Sequence, residues 1–274
     1  MAVFPLDLGP GSQSEVIAQP LVDVDLDRAP RRSRWYLEAL VIVWLMWAYD
    51  LIANLAHLRL AAAIAHGRSI LHLEAVLHLD PEGTLDRWLA GHHTFGLWVS
   101  TYYDNAHFVV ALAVIGWLWW RHPLHYRRLR TSLVLVNVIG FVVFWLYPTA
   151  PPRMLPGAHI ADVVAATGAV GSWHSGQLAH QANELAAMPS LHMAWAAWAA
   201  LAAWQVLRRH HRWAPLVWAY PVATALAVLS TGNHYLADVV AGLATLAVAT
   251  GGAVLVGRLA HHIPLPARLA RLRA

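Results

Sequence analysis

His234 and Asp238 stand four residues apart in the stretch Gly232-Asn233-His234-Tyr235-Leu236-Ala237-Asp238. If a helix starts near His234, the two side chains share a face, one turn apart. A carboxylate there can accept from one imidazole nitrogen and leave the other with a free, more basic lone pair. A nucleophile oriented by a second group has this form, although a histidine paired with a carboxylate for solvation alone gives the same pattern. A second stretch, Met188-Pro189-Ser190-Leu191-His192, places proline where helices begin. Free N–H groups at a helix start, backed by the helix dipole, bind anions; Ser190 adds a donor and His192 a second titratable imidazole. The plainer alternative is an N-cap serine beside an interfacial histidine. The third stretch is Tyr147-Pro148-Thr149-Ala150-Pro151-Pro152-Arg153-Met154. Its proline-stiffened turn presents Arg153, a fixed fork of donors that suits a phosphate. Phosphate is the substrate group that uses all five side chains.

The elements that must bring these stretches together are read from composition. Of the 274 residues 58% are hydrophobic and 12% charged, against roughly 45–50% and about 25% in soluble domains, so the bilayer is the better solvent for this chain. The 15 Trp fit the interfacial enrichment of that residue. With Cys 0 there is no thiolate chemistry, and with every cation an arginine there is no lysine nucleophile, Schiff base or P-loop lysine. The net charge of +4 lies in short arginine clusters beside apolar runs, which is how cytoplasmic loops look; no nucleic-acid partner is expected. The outer-side histidines fit no tight metal-ligand spacing, and no metal or other cofactor is expected.

Six apolar runs, near 35–54, 99–120, 131–148, 188–207, 214–230 and 235–257, are each about long enough to cross a ~30 Å hydrocarbon core. Backbone groups must pair within each run there, so the expected fold class is all-α: a polytopic membrane bundle of six transmembrane helices. Residues 1–34 read as a disordered cytoplasmic tail, 35–257 as the membrane domain and 258–274 as a basic cytoplasmic tail. Arginines at 31–34, 121–130, 208–212 and 258–273 fall on one side of a six-span chain, so both termini are expected in the cytoplasm. The outer side then receives 55–98, 149–187 and the turn Ser230–Asn233. Leu58, Leu60, Ile64, Ile70, Leu73, Val76 and Leu77 mix with His and Arg at loosely helical spacing, as in helices lying along the interface. Asp80-Pro81-Glu82-Gly83 is a turn between two such pieces. All three reactive stretches are thus expected at the extracytoplasmic face of the cell membrane.

The order Arg, Pro-Ser-x-His, His-x-x-x-Asp resembles the type-2 phosphatidic acid phosphatase superfamily over roughly residues 36–257. Tyr-Pro-Thr-Ala-Pro-Pro-Arg, Ala-Ala-Met-Pro-Ser-Leu-His and Gly-Asn-His-Tyr-x-x-Asp are similar to its inositol-phosphorylceramide-synthase-like, inositolphosphotransferase branch. The resemblance implies a six-helix membrane enzyme, without a metal cofactor, acting on a membrane lipid phosphate. It implies His234 as the nucleophile that becomes phosphohistidine, Asp238 as its orienting carboxylate and His192 as the group that protonates the leaving alkoxide. Ser190 and Arg153 would hold the phosphoryl oxygens, where fixed donors stabilise developing charge.

Three positions depart from the superfamily's phosphatases. Leu146 stands where they carry lysine, with Met154 after the arginine; Leu191 replaces a glycine; Val228 replaces an arginine six residues before the nucleophile. Two missing cations suit a singly charged phosphodiester better than a dianionic monoester, and tilt the expectation toward phosphotransfer to a lipid or polyol alcohol. A lipid phosphate or polyprenyl (pyro)phosphate phosphatase is the alternative, and a non-catalytic lipid carrier a second. Polar residues inside spans are costly. Asp50, Asn105 and Asn137 read as bridges between helices, whereas Asp104, His107, Asn233 and Tyr235 are candidates to line a head-group cavity.

Overall fold

A computed structural model describes residues 34–169 and 184–262. Residues 1–33 of the expected N-terminal tail (1–34), residues 263–274 of the expected C-terminal tail (258–274) and residues 170–183 lie outside the described residues. Among those described the chain is helical, with one isolated backbone bridge, Thr149 to Ala186. The helices are α1 (Trp35–Ala56), α2 (Leu60–Leu77), α3 (Glu82–Ala90), α4 (His93–Arg121), α5 (Pro123–Leu146), α6 (Val163–Thr167), α7 (Leu191–Leu207), α8 (Ala219–Ser230) and α9 (Leu236–His262). Their boundaries follow local chemistry. Pro123 opens α5, where its missing N–H is not needed. Asp162 caps α6 by accepting from the Ala165 N–H (2.9 Å), and Gly168 ends it in the left-handed conformation (φ 61°) that glycine adopts without strain.

Four helices are long and apolar enough to cross a membrane: α1 over Trp35–Leu55, α2, α5, and α9 over Leu236–Ala260. The chain is an integral membrane protein, all-helical among the described residues. Of the four helices, α1, α5 and α9 fall on expected spans, whereas α2 is long and apolar enough to cross where a helix lying along the interface is expected. The run near 188–207 becomes the 17-residue α7, and two other expected spans differ for physical reasons. The run near 99–120 becomes α4, ample in length at 29 residues but carrying Asp104, Asn105 and His107 in its first half. The run near 214–230 divides into a 3₁₀ turn, Ala214–Trp218, and the 12-residue α8, only about 18 Å of helix at 1.5 Å per residue. In the 55–98 segment, Leu60–Leu77 is one continuous helix, and α3 begins at Glu82, inside the stretch expected as a turn, with Pro81 before it.

The bundle is built around α7. Its surface is alanine (Ala194, Ala196, Ala197, Ala199, Ala200 and Ala202 are all buried), and small residues let helix backbones approach closely where apolar solvent gives no hydrophobic drive. Accordingly α4, α5, α8 and α9 all pack on it. Trp198 is the large exception. Fully buried, it donates its indole N–H to Leu129 O (3.0 Å) and Ser132 Oγ (3.2 Å) of α5. On α9, Gly242 meets the start of α7 so closely that a Cβ there would lie 2.5 Å from Ser190 O. By contrast, α1 touches mainly α5, through the Glu38–Arg130 ion pair (3.0 Å), and turns Leu40, Trp44, Met46 and Trp47 outward.

Candidate active site

The end of α5 and the starts of α7 and α9 meet at one place, sewn by backbone bonds. Arg153 N–H donates to Gly232 O (3.0 Å), and Ser190 N–H donates to Asp238 O (3.1 Å). Thr149 exchanges bonds with Leu185 O (2.8 Å) and the Ala187 N–H (3.1 Å), which fixes both ends of the 149–187 segment to each other. Helix α2 lies against this seam: Ala150 N–H donates to Ala63 O (3.1 Å), and Gly67 leaves room for Ala150 O and the Tyr235 hydroxyl.

His234 precedes α9 and is buried. Its Nδ1 is 3.0 Å from Ala187 O and 3.2 Å from Asp238 Oδ2. Two acceptors at one nitrogen place the ring proton on Nδ1, which leaves the lone pair on Nε2. That nitrogen faces Ser190 Oγ at 3.4 Å. Asp238, fully buried in the first turn of α9, also accepts from the Tyr235 N–H (3.0 Å). This is the reach-back half of a capping box, so one carboxylate fixes both the helix start and the imidazole before it.

Ser190 caps α7 by accepting from the Met193 N–H (3.3 Å) while facing His234. Two residues on, the His192 ring has its centroid 5.6 Å from that of His234. It stacks on Tyr103 of α4 (4.4 Å, 20° between planes) and meets His107 edge-on (4.2 Å). Arg153, its side chain 6% exposed, donates from Nε to Asn233 Oδ1 (2.8 Å). Its remaining nitrogens face Asp162 (3.4 Å) and Glu184 (3.7 Å). The five residues singled out for phosphate chemistry are therefore assembled at one end of the bundle.

The cavity candidates separate. His107 lines a small cleft between α4 and α8 with His192, Tyr102, Tyr103, Thr224 and Val228. Asn233 holds Arg153 and donates to Thr231 O (3.1 Å). Tyr235 donates its hydroxyl to Ala150 O (2.7 Å); burial, with the Asp238, Glu74 and Glu82 carboxyls nearby, pushes its phenol far up and keeps it a donor. Asp104 is buried on α4. Asn105 and Asn137 bond to carbonyls of their own helices, Thr101 O (2.9 Å) and Leu133 O (2.8 Å), and Asp50 pairs with Asn54 one turn away (3.1 Å).

Sequence reading passed over three carboxylates on α2 and α3. Glu74, Glu82 and Asp86 are all buried, and each accepts a backbone N–H from a segment that carries the site. Burial raises the Asp86 carboxyl above the usual range, and the bond from the Ala161 N–H pulls the other way. The available signal was their setting, since acidic residues are almost never fully buried unless partnered.

The family model of the PAP2 superfamily matches residues 68–252, which spans α2 to α9 and holds every residue of this site. No curated protein and no solved structure matches the chain.

Proposed function

We propose, from the premise that the chain belongs to the PAP2 superfamily, that it transfers a phospho-head group from a membrane lipid to an alcohol through a phosphohistidine on His234. The observation that carries the reading is the His234 ring itself, with its proton held at Nδ1 by Ala187 O and Asp238 and its lone pair at Nε2 turned toward Ser190 and His192.

In the first step Nε2 attacks phosphorus and the bond from phosphorus to the leaving oxygen breaks. His192 gives that oxygen a proton. Ser190 Oγ and the Arg153 guanidinium hold the non-bridging oxygens, where preorganised donors act on the charge that develops. In the second step an alcohol attacks the phosphohistidine, His192 takes the alcohol's proton, and the N–P bond returns its electron pair to Nε2. Neither step calls on a metal ion, so a chelator is expected to leave turnover unchanged.

Transfer is favoured over hydrolysis by charge. Leu146, where the hydrolytic relatives carry lysine, is 66% exposed at the outer surface of α5, and Val228 is packed against the His192 cleft. Arg153 already faces two carboxylates, so a dianionic monoester would meet little net positive charge. Holding an alcohol beside phosphohistidine gives it the advantage of proximity over water. We read the chain as six-spanning, through α1, α4, α5, α7, the 3₁₀–α8 unit and α9, with α2 lying against the bundle at the outer face, both termini in the cytoplasm and the site at the extracytoplasmic face.

Purified protein in detergent is expected to release phosphate slowly from phosphatidic acid. It should form new lipid faster when phosphatidylinositol is supplied with a lipid or polyol acceptor. Rapid phosphate release from the monoester, with no gain from any acceptor, would assign a phosphatase instead; no turnover of either would leave the lipid-carrier reading. Because the chain has no cysteine, topology is tested cleanly by His159→Cys and Arg127→Cys. The first should react with an impermeant thiol reagent from outside and the second should not.

A further inference from the structure

Glu74, Glu82 and Asp86 lie on the outer segment, outside the three reactive stretches, and are among the most deeply buried charged side chains described. Their exposures are 4%, 0% and 1%. Buried carboxylates are retained where something satisfies them, and here the partners are specific. Glu82 Oε1 accepts from the Leu236 N–H (2.7 Å) and Glu74 Oε1 from the Ala237 N–H (2.6 Å). These amides belong to the first two residues of α9. Asp86 Oδ1 accepts from the Ala161 N–H (2.8 Å).

A helix start leaves its first N–H groups without intrahelical partners, and a local side chain usually takes one of them. The start of α9 cannot be served that way. Tyr235, the residue before the helix, points its hydroxyl at Ala150 O, and Asp238 is engaged with the Tyr235 N–H and with His234. The acceptors come instead from α2 and α3, more than 150 residues earlier in the chain. The partial negative charge of a carboxyl oxygen also suits the positive end of the helix dipole. Asp86 does the same for the segment that holds Arg153. Ala161 O lies so close to Gly232 that a Cβ on that glycine would be 2.6 Å from it, and the next residue, Asn233, holds the Arg153 Nε.

We propose that Glu74, Glu82 and Asp86 are positioning residues, a clamp on α2 and α3 that sets the start of α9 and the 161–162 segment relative to each other. The clamp fixes where His234 Nε2 stands with respect to the Arg153 guanidinium. It rests on the reading of His234 as nucleophile, and it gives the outer segment a function in catalysis without any contact to substrate.

The test compares Glu82→Leu and Glu74→Leu, which remove the acceptor, with Glu82→Gln and Glu74→Gln, which keep an oxygen in the same place. A misplacement on the order of 1 Å can cost about 10²-fold in rate. The leucine variants should therefore lose about 10- to 100-fold in kcat with KM little changed, and the glutamine variants should retain most of it. Leu236→Pro approaches the same bond from the other side. Proline suits the first position of a helix but brings no N–H to Glu82, so it should lower kcat, and Glu82→Leu added to it should lower kcat little further.

A second readout needs no substrate: the rate at which diethyl pyrocarbonate modifies His234 in the full-length protein, followed by mass spectrometry of its peptide. That rate should change in the leucine and proline variants and stay near wild type in the glutamine variants. It tests the clamp even if no lipid phosphate is turned over, which would overturn the functional reading alone. Should the leucine variants fail to fold, Leu236→Pro and the glutamine variants decide. Glutamine variants as impaired as leucine ones, folded leucine variants with normal kcat and normal His234 reactivity, or a Leu236→Pro chain indistinguishable from wild type would each overturn the proposal.

Discussion

Two imidazoles 5.6 Å apart are held in different ways. At the start of α9, His234 is fixed by directional bonds: two acceptors at Nδ1, a carboxylate that also caps the helix, and two further carboxylates on the helix's first amides. At the start of α7, His192 lies among rings, with Tyr103 beneath it and His107 at its edge. Hydrogen bonds at Nδ1 fix the rotation and tautomer of the His234 ring, whereas the rings packed around His192 set its plane. The contrast matches the two proposed roles. A nucleophile must aim one nitrogen at one phosphorus, while an acid–base group must give a proton to one oxygen and later take one from another.

Replacing His234 sets the upper limit of this contrast. His234→Ala is expected to reduce lipid turnover to background while the protein remains folded and membrane-inserted, because in the proposed mechanism no other group forms the N–P bond. A folded His234→Ala protein with wild-type turnover would remove the nucleophile from the wrong side of the comparison. His192→Ala should be less severe, since general acid–base catalysis contributes typically about 10²–10⁴-fold, and a substrate with a good leaving group, such as a nitrophenyl phosphodiester, should recover part of the loss. Equal losses on good and poor leaving groups would show that His192 does not donate the proton.

Smaller effects sharpen the comparison. Asn233→Ala frees the Arg153 Nε, which leaves Arg153 facing Asp162 and Glu184. It should raise KM and lower kcat, together roughly 10-fold in kcat/KM, about 1.4 kcal/mol by the usual conversion. Tyr103→Leu removes the stacking partner of His192 and keeps an apolar side chain in the core, so its kcat loss should be the smallest, below about 10-fold. The same replacement around His234 has no counterpart, because its supports are bonds to backbone and carboxylate. If Tyr103→Leu proved as damaging as Asp238→Ala, stacking would be as strict a restraint as hydrogen bonding and the contrast would fail.

The parts of this site that sequence made legible are those written into short stretches. His234 and Asp238 are a one-turn pair, Ser190 follows a helix-opening proline, and Arg153 ends a proline turn; each pattern is local, and each helix start falls where it indicates. The bilayer imposes long apolar runs, so α1, α5 and α9 were equally readable. What escaped depends on contacts between distant segments. Nothing near Glu74 indicates that it will meet an amide 163 residues later, or that Asn233 will take the Arg153 Nε from 80 residues away. The loosely helical spacing of Leu60–Leu77 indicated a helix before the Asp80 turn, and α2 is that helix; what the spacing did not indicate is that one face is buried against the seam at Ala150 and Tyr235. Short α8 also escaped: an apolar run reads as one helix, whereas Pro215 lies in a 3₁₀ turn that precedes it.

At Gly242 the backbone of α9 rests on the backbone of α7 at Ser190, so the spacing between the two histidine-bearing helix starts is a main-chain contact. Main chain does not drift as side chains do. A lineage of such chains could exchange nearly all of its lipid-facing residues, adapting to membranes of different thickness and composition, and still inherit the same separation between the proposed nucleophile and proton donor. One added methyl group at position 242 would alter that inheritance more than many substitutions on the outward face of α1.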